Sequence, residues 1–178
     1  MKNKTNFNLG YFTVLFLALF MVSALFYHCS GKTEEDLIRD MIDEIGDYAE
    51  SRDTDGVLFY VSDDYSDDED RAYEDIEELL NTYLSRYRGI AVNILATEIL
   101  SVTVPDAEIE TDVALSSGAA QLFRKAVRYS GQFYRFNMKL VKEEEKWKCV
   151  SASWKYITLE ELFPESFKIL KKLFPNSF

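Results

Sequence analysis

The sequence predicts an α+β domain carried behind an apolar N-terminal segment. Three features predict it. An apolar run fills Leu9–Tyr27, helical periodicity follows from Thr33 to Arg88, and from Ile90 onward the pattern switches to alternation at every second residue. Helices first and then a meander of antiparallel strands is an α+β arrangement. The expected architecture is a membrane anchor or signal helix, then two or three helices packed on a strongly curved antiparallel sheet of about four strands, a cone, closed by a short amphipathic C-terminal helix. The boundaries are 1–31 for the anchor, 32–157 for the domain and 158–178 for the tail.

The run Leu9–Tyr27 is broken only by Gly10, Thr13 and Ser23. As a helix it rises about 28 Å, enough to cross the hydrocarbon core of a bilayer. Lys2 and Lys4 lie on one side of it and Glu34, Glu35 and Asp36 on the other. The positive-inside rule then puts the domain on the extracytoplasmic side. Three fates of the segment share that orientation. It stays as an uncleaved helix, it is cut before a lipid-bearing Cys29, or it is cut after Val22-Ser23-Ala24. Cys29-Ser30-Gly31-Lys32 looks like the start of a mature bacterial lipoprotein, although Phe26 and His28 are unusual before such a cysteine.

Lys and Arg total 20, and Asp and Glu total 31. Every acid lies beyond the apolar run, so the domain is more acidic than the whole chain's net charge of −11. Such a surface repels a polyanionic backbone, which argues against nucleic acid as a partner. The other cysteine, Cys149, falls among polar residues in a strand pattern and reads as a small buried hydrophobe; a disulfide to Cys29 is the alternative.

Thr33 opens the first helix, with Leu37, Ile38, Met41, Ile42, Ile45, Tyr48 and Ala49 on one face, and the helix ends near Arg52. Asp53-Thr54-Asp55-Gly56 reads as a turn and Gly56–Val61 as a brief second helix. The acidic stretch Ser62–Asp70 lacks the glycine turn and distal glutamate of a calcium loop, so it is read as a solvated loop without a metal. A long helix follows over Arg71–Arg88, stopped by Gly89. Strands are expected over Ile90–Val104, with a bend at Ala96-Thr97, over Ala107–Leu115, over Gly131–Val141 and over Trp147–Tyr156, with Ser116–Ala126 a loop or helical turn. In the second strand Glu108, Glu110 and Asp112 share one wet face.

Three segments carry a family resemblance. They are the Arg52-Asp53 ending of the first helix, Val61-Ser62-Asp63-Asp64-Tyr65 before the long helix, and the closing hairpin Tyr134-Arg135-Phe136 … Trp147-Lys148-Cys149-Val150-Ser151-Ala152-Ser153-Trp154. In these the chain resembles the nuclear transport factor 2-like superfamily over about Glu34–Tyr156, and within it small bacterial lipoproteins. The resemblance implies a cone whose interior would be lined by Tyr83, Tyr134, Phe136 and Trp154, and Phe136 and Trp154 are expected to point toward the helices. It implies a homodimer through the exposed sheet face or an envelope partner, and it is nearly silent on activity, because this fold hosts enzymes, binders and scaffolds.

Dehydratase-type members rely on a pocket histidine, and none follows His28. Isomerase-type members use a carboxylate base with a tyrosine. Asp112 with Tyr134 or Tyr83 would be the candidates, but Asp112 belongs to the wet set and is expected at the surface. No catalytic residue, metal or cofactor is therefore assigned. The reading is a membrane-tethered, extracytoplasmic binding or assembly module. The alternatives are a scaffold subunit of an envelope or secretion complex, or an isomerase or cyclase acting on a small apolar substrate.

The tail, Leu159–Phe178, places Phe167, Leu170 and Phe174 on one helical face, with Lys168, Lys171 and Lys172 beside them. Pro164 can open that helix and Pro175 close it. It is expected either to dock on the domain or to touch a membrane surface.

Overall fold

A computed structural model describes residues 31–86, 89–117 and 131–173. The chain divides into two compact units, Met1–Thr33 and Glu34–Phe178. The apolar run, Cys29 and Phe174 lie outside the described residues. No described helix is long and apolar enough to cross a membrane.

The second unit runs α1 (Glu34–Ser51), α2 (Thr54–Leu58), α3 (Tyr73–Arg86), β1 (Ile90–Thr103), β2 (Asp106–Ser117), β3 (Gln132–Glu143), β4 (Lys146–Ile157), α4 (Leu159–Leu162) and α5 (Pro164–Leu173). The strands form one antiparallel sheet in the order β1-β2-β3-β4. Register shifts fall between Ile94 and Ala96 and between Ile99 and Ser101, at and just beyond the expected bend, and an extra residue of this kind bends a strand. The expected turn at Asp53–Gly56 is helical instead. The Asp53 side chain accepts from the Gly56 N–H at 2.9 Å and caps α2. Gly56 is required there, because a Cβ would stand 2.3 Å from the Tyr48 ring.

Register sorts the sheet residues by face. Ile109 pairs with Met138, and Thr111 with Phe136, which in turn pairs with Trp154. All five therefore share the face of Ala107, Leu140, Trp147 and Cys149, which pack with Ile38, Met41 and Ile42 of α1 and Ile76 of α3. This is the inner face, and Phe136 and Trp154 lie on it as their alternation implies. Glu108, Glu110 and Asp112 lie on the outer face. There Ala114, Phe133 and Ile157 form a small second cluster, joined by Leu95 and by Leu162 of α4.

Both sheet edges are managed. Along β1, the Val92 N–H donates to Glu50 at 2.8 Å and Arg39 donates to the Thr97 carbonyl at 2.6 Å. Along β4, Val61 forms a parallel bridge to Cys149 and the Tyr65 hydroxyl accepts from the Ala152 N–H at 3.2 Å. At the hairpin end of the sheet, Glu34 accepts from Lys142 at 2.7 Å and from the Trp147 indole at 2.9 Å. The start of α1 is thereby fixed to the β3–β4 hairpin, and α4 leaves the opposite end of β4. Cys149 is free and buried among the described residues, and burial pushes its thiol up to about 12; its disulfide alternative involves Cys29, which lies outside them.

Candidate ligand-binding face

Away from the α1 contact, four aromatic side chains stand together on the inner face of β3 and β4. Phe136 and Trp154 are neighbours across the strands, with ring centroids 6.1 Å apart. Tyr134 lies 6.5 Å from Phe136 and meets Tyr156 edge-to-face at 6.1 Å. Tyr134, Phe136 and Trp154 are half-buried and Tyr156 is 59 % exposed. The residues nearer the hairpin end, Leu140 and Trp147, are almost wholly covered. The inner face thus changes from packed core to open aromatic surface along the strands.

Arg71 closes one side of this surface. Its guanidinium lies 4.2 Å from the Trp154 ring centroid, a cation–π arrangement. Asp67 holds it there, accepting from the Arg71 Nε at 2.7 Å and from the Tyr65 hydroxyl at 3.0 Å on one oxygen. The other oxygen takes the backbone N–H groups of Glu69 at 2.9 Å and Arg71 at 3.1 Å. Burial alone would raise the Asp67 pKa, but the bonds from Arg71, Glu69 and Tyr65 outweigh it and hold the carboxyl below its ordinary value. Burial and the Asp67 bond together push the Tyr65 phenol up. With four donors Asp67 is a structural acceptor with no lone pair directed at a ligand. Among the described residues no group of acids, histidines and cysteines could hold a metal.

No protein-family model matches the sequence. No curated protein matches it either. Solved structures do resemble it. A protein with a cystatin-like fold from Caulobacter vibrioides superposes with a TM-score of 0.56 at 11 % identity, over 76 % of this chain and 97 % of that one. A proposed dehydratase of the nuclear transport factor 2-like family from Streptomyces avermitilis gives 0.56 at 11 %, over 69 % and 95 %. A proposed scytalone dehydratase from Novosphingobium aromaticivorans gives 0.58 at 12 %, over 70 % and 85 %. The chain has the nuclear transport factor 2-like fold.

Within this fold, Tyr134, Phe136 and Trp154 fall together, whereas Tyr83 does not join them. Tyr83 is 53 % exposed on α3, and its ring stands 5.8 Å from Arg86. The positions of α3 that turn inward are Ile76, Leu80 and Leu84, which are buried or half-buried. Asp112 corrects a second expectation. It lies on the outer face as its alternation requires, but it is buried, because Arg135 covers it with bonds of 2.7 and 2.8 Å. The Asp112 bond raises the Arg135 pKa, and Arg135 also meets Glu110 at 3.1 Å.

The tail is helical from Pro164, and a capping box of Thr158 and Glu161 precedes it. The side chains of Ile169 and Leu173 are exposed, Phe167 is half-buried, and the side chain of Leu170 lies outside the description. The cationic face is not free: Lys168 pairs with Glu165 at 2.6 Å and Lys171 with Glu160. Glu160, Glu161 and Glu165 balance Lys168, Lys171 and Lys172, so the described tail has no net positive charge to draw it to anionic lipid. Arg71 and Tyr156, which complete the aromatic surface, are not among the residues that the resemblance implies. Tyr156 was legible, since it continues the alternation of Ala152 and Trp154.

Proposed function

We propose that this chain is a tethered, extracytoplasmic binding module that takes a small planar apolar ligand on the open aromatic surface of Tyr134, Phe136, Trp154 and Tyr156. That cluster carries the reading. Half-open rings on a rigid sheet offer stacking area with little ordering cost, and offset or edge-on ring contacts contribute about 0.5–1.5 kcal/mol each beyond area burial. The dehydratase names among the structural neighbours favour an enzyme as the second reading. The first is preferred because Asp67 is saturated, Asp112 faces outward, and no histidine follows His28.

The test is to purify the full chain natively and identify small molecules that leave with it by mass spectrometry. Planar aromatic compounds should also perturb Trp154 emission in a Trp147→Phe background, where Trp154 is the remaining tryptophan. Trp154→Ala should weaken retention by about tenfold, the effect of losing one such ring contact. A chain that carries nothing, with emission indifferent to every compound, overturns the reading.

The tether rests on Lys2, Lys4 and the run Leu9–Tyr27. A C-terminal alkaline phosphatase fusion should be active, and if Cys29 carries the lipid, Cys29→Ser should abolish labelling by a clickable fatty acid. An inactive phosphatase fusion beside an active cytoplasmic reporter would overturn the export.

A further inference from the structure

The rings of the ligand face are inclined to one another. Tyr134 and Phe136 meet at 48°, Phe136 and Trp154 at 32°, and Tyr134 and Tyr156 at 86°. A flat ligand can stack on one of these rings but not on all of them. A compact positive group can meet several at once, because each ring face attracts a cation through its quadrupole. The surface already holds one cation in this way, the Arg71 guanidinium 4.2 Å from the Trp154 centroid. Among the described residues no other guanidinium or ammonium is stacked on these four rings. The inner positions that follow on β3 and β4, Met138 and Ala152, are apolar, and the charged residues of these registers, Arg135 and Lys155, point outward.

Charge separates the ligand classes. Arg71 is paired with Asp67 at 2.7 Å and with Glu69 at 3.1 Å, so one cation stands against two carboxylates and the rim is net negative. The Glu69 side chain is 71 % exposed, and Asp68 and Asp70 beside it in the chain are exposed too. An anionic ligand would meet that excess and a guanidinium already engaged twice. A cationic ligand would meet ring faces and a negative rim. The whole chain carries −11, which raises the concentration of cations at its surface.

We infer that the ligand of this face carries a fixed, weakly hydrated positive charge, as in a quaternary ammonium or an N-alkylated aromatic ring. It sits against Tyr134, Phe136 and Tyr156, with Arg71 filling the Trp154 side. A metal ion holds its water too tightly for rings to replace it, and among the described residues no group of acids, histidines and cysteines could hold one. The inference rests on the reading of this surface as a ligand site, and it names the chemistry of what the surface takes.

The test is equilibrium dialysis of the full chain in a mild nonionic detergent, with detergent alone as the blank. The probes are N-methylquinolinium, quinoline and quinoline-2-carboxylate at neutral pH, three flat bicycles of similar size that are positive, neutral and negative. The cation should bind about tenfold more tightly than quinoline, the effect of about two ring contacts, and the carboxylate most weakly. Glu69→Gln should weaken the cation by about twofold to threefold and leave quinoline unchanged. Tyr156→Leu, at a side chain 59 % exposed, should weaken the cation by about threefold. A cation held equally well by Tyr156→Leu is scattered over the acidic surface, and overturns the inference. Quinoline held as tightly as the cation, or the carboxylate held more tightly, overturns it too and leaves the binding face standing. Retention of none of the three also overturns it, and the binding face falls with it only if the natively purified chain carries nothing either.

Discussion

Trp147→Ala is expected to cost about 3–5 kcal/mol, the range for a fully buried aromatic truncated to a methyl group. The side chain is 2 % exposed and sits in the main core beside Leu140 and Cys149, under Ile38, Met41 and Ile42 of α1. It also does what an aliphatic residue could not, since its indole N–H donates to Glu34 at the first turn of α1. Alanine would leave a cavity and release that end of the helix from the hairpin. Trp147→Phe should keep most of the packing, lose the bond and cost about 1 kcal/mol. Against a typical domain stability of about 5–15 kcal/mol, the alanine variant would lose a large share. Urea denaturation of the full chain measures both. A loss below about 1 kcal/mol for Trp147→Ala would mean that the hairpin and α1 are not coupled through this side chain.

The parts of this fold that could be read in advance are those set by local periodicity. Alternation in β2 placed Ile109 and Thr111 on one face and Glu108, Glu110 and Asp112 on the other, and the same alternation put Phe136 and Trp154 inward. What escaped depends on contacts between distant segments. The acidic stretch before α3 looked like a solvated loop because its composition is that of one. Yet Tyr65 crosses to the backbone of Ala152 and Asp67 anchors Arg71 over Trp154. Asp112 looked wet because nothing in β2 announces Arg135 on the next strand. The lysines Lys168, Lys171 and Lys172 give the tail a cationic pattern only apart from Glu160, Glu161 and Glu165, and the i, i+3 spacing of Glu165 and Lys168 already marks one of the pairs.

Asp67→Ala is expected to cost about 3 kcal/mol and to loosen the ligand face as well. Its carboxylate is 1 % exposed and accepts four hydrogen bonds, so truncation takes the acceptor from the Arg71 Nε and from the backbone N–H groups of Glu69 and Arg71, and leaves the Tyr65 hydroxyl only the longer contact to the Ala152 carbonyl at 3.4 Å. Arg71 then loses its short tether and relies on Glu69, whose carboxylate is exposed, so its stack on Trp154 should weaken. Trp154 emission in the Trp147→Phe background should shift accordingly. Asp67→Asn isolates the charge, because the amide oxygen can still accept the backbone N–H groups of Glu69 and Arg71. Acid titration then separates the two variants from the wild type. The folded Asp67 carboxyl titrates below its unfolded value, so its contribution is complete above the unfolded pKa, near 4 (about 3.9), and is lost as pH falls through the folded value. The stability difference between wild type and Asp67→Asn should therefore be constant from about pH 6 to 8 and shrink below about pH 4. A difference that stays flat into acid would show that the charge on Asp67 contributes nothing, and that its backbone bonds alone hold the turn.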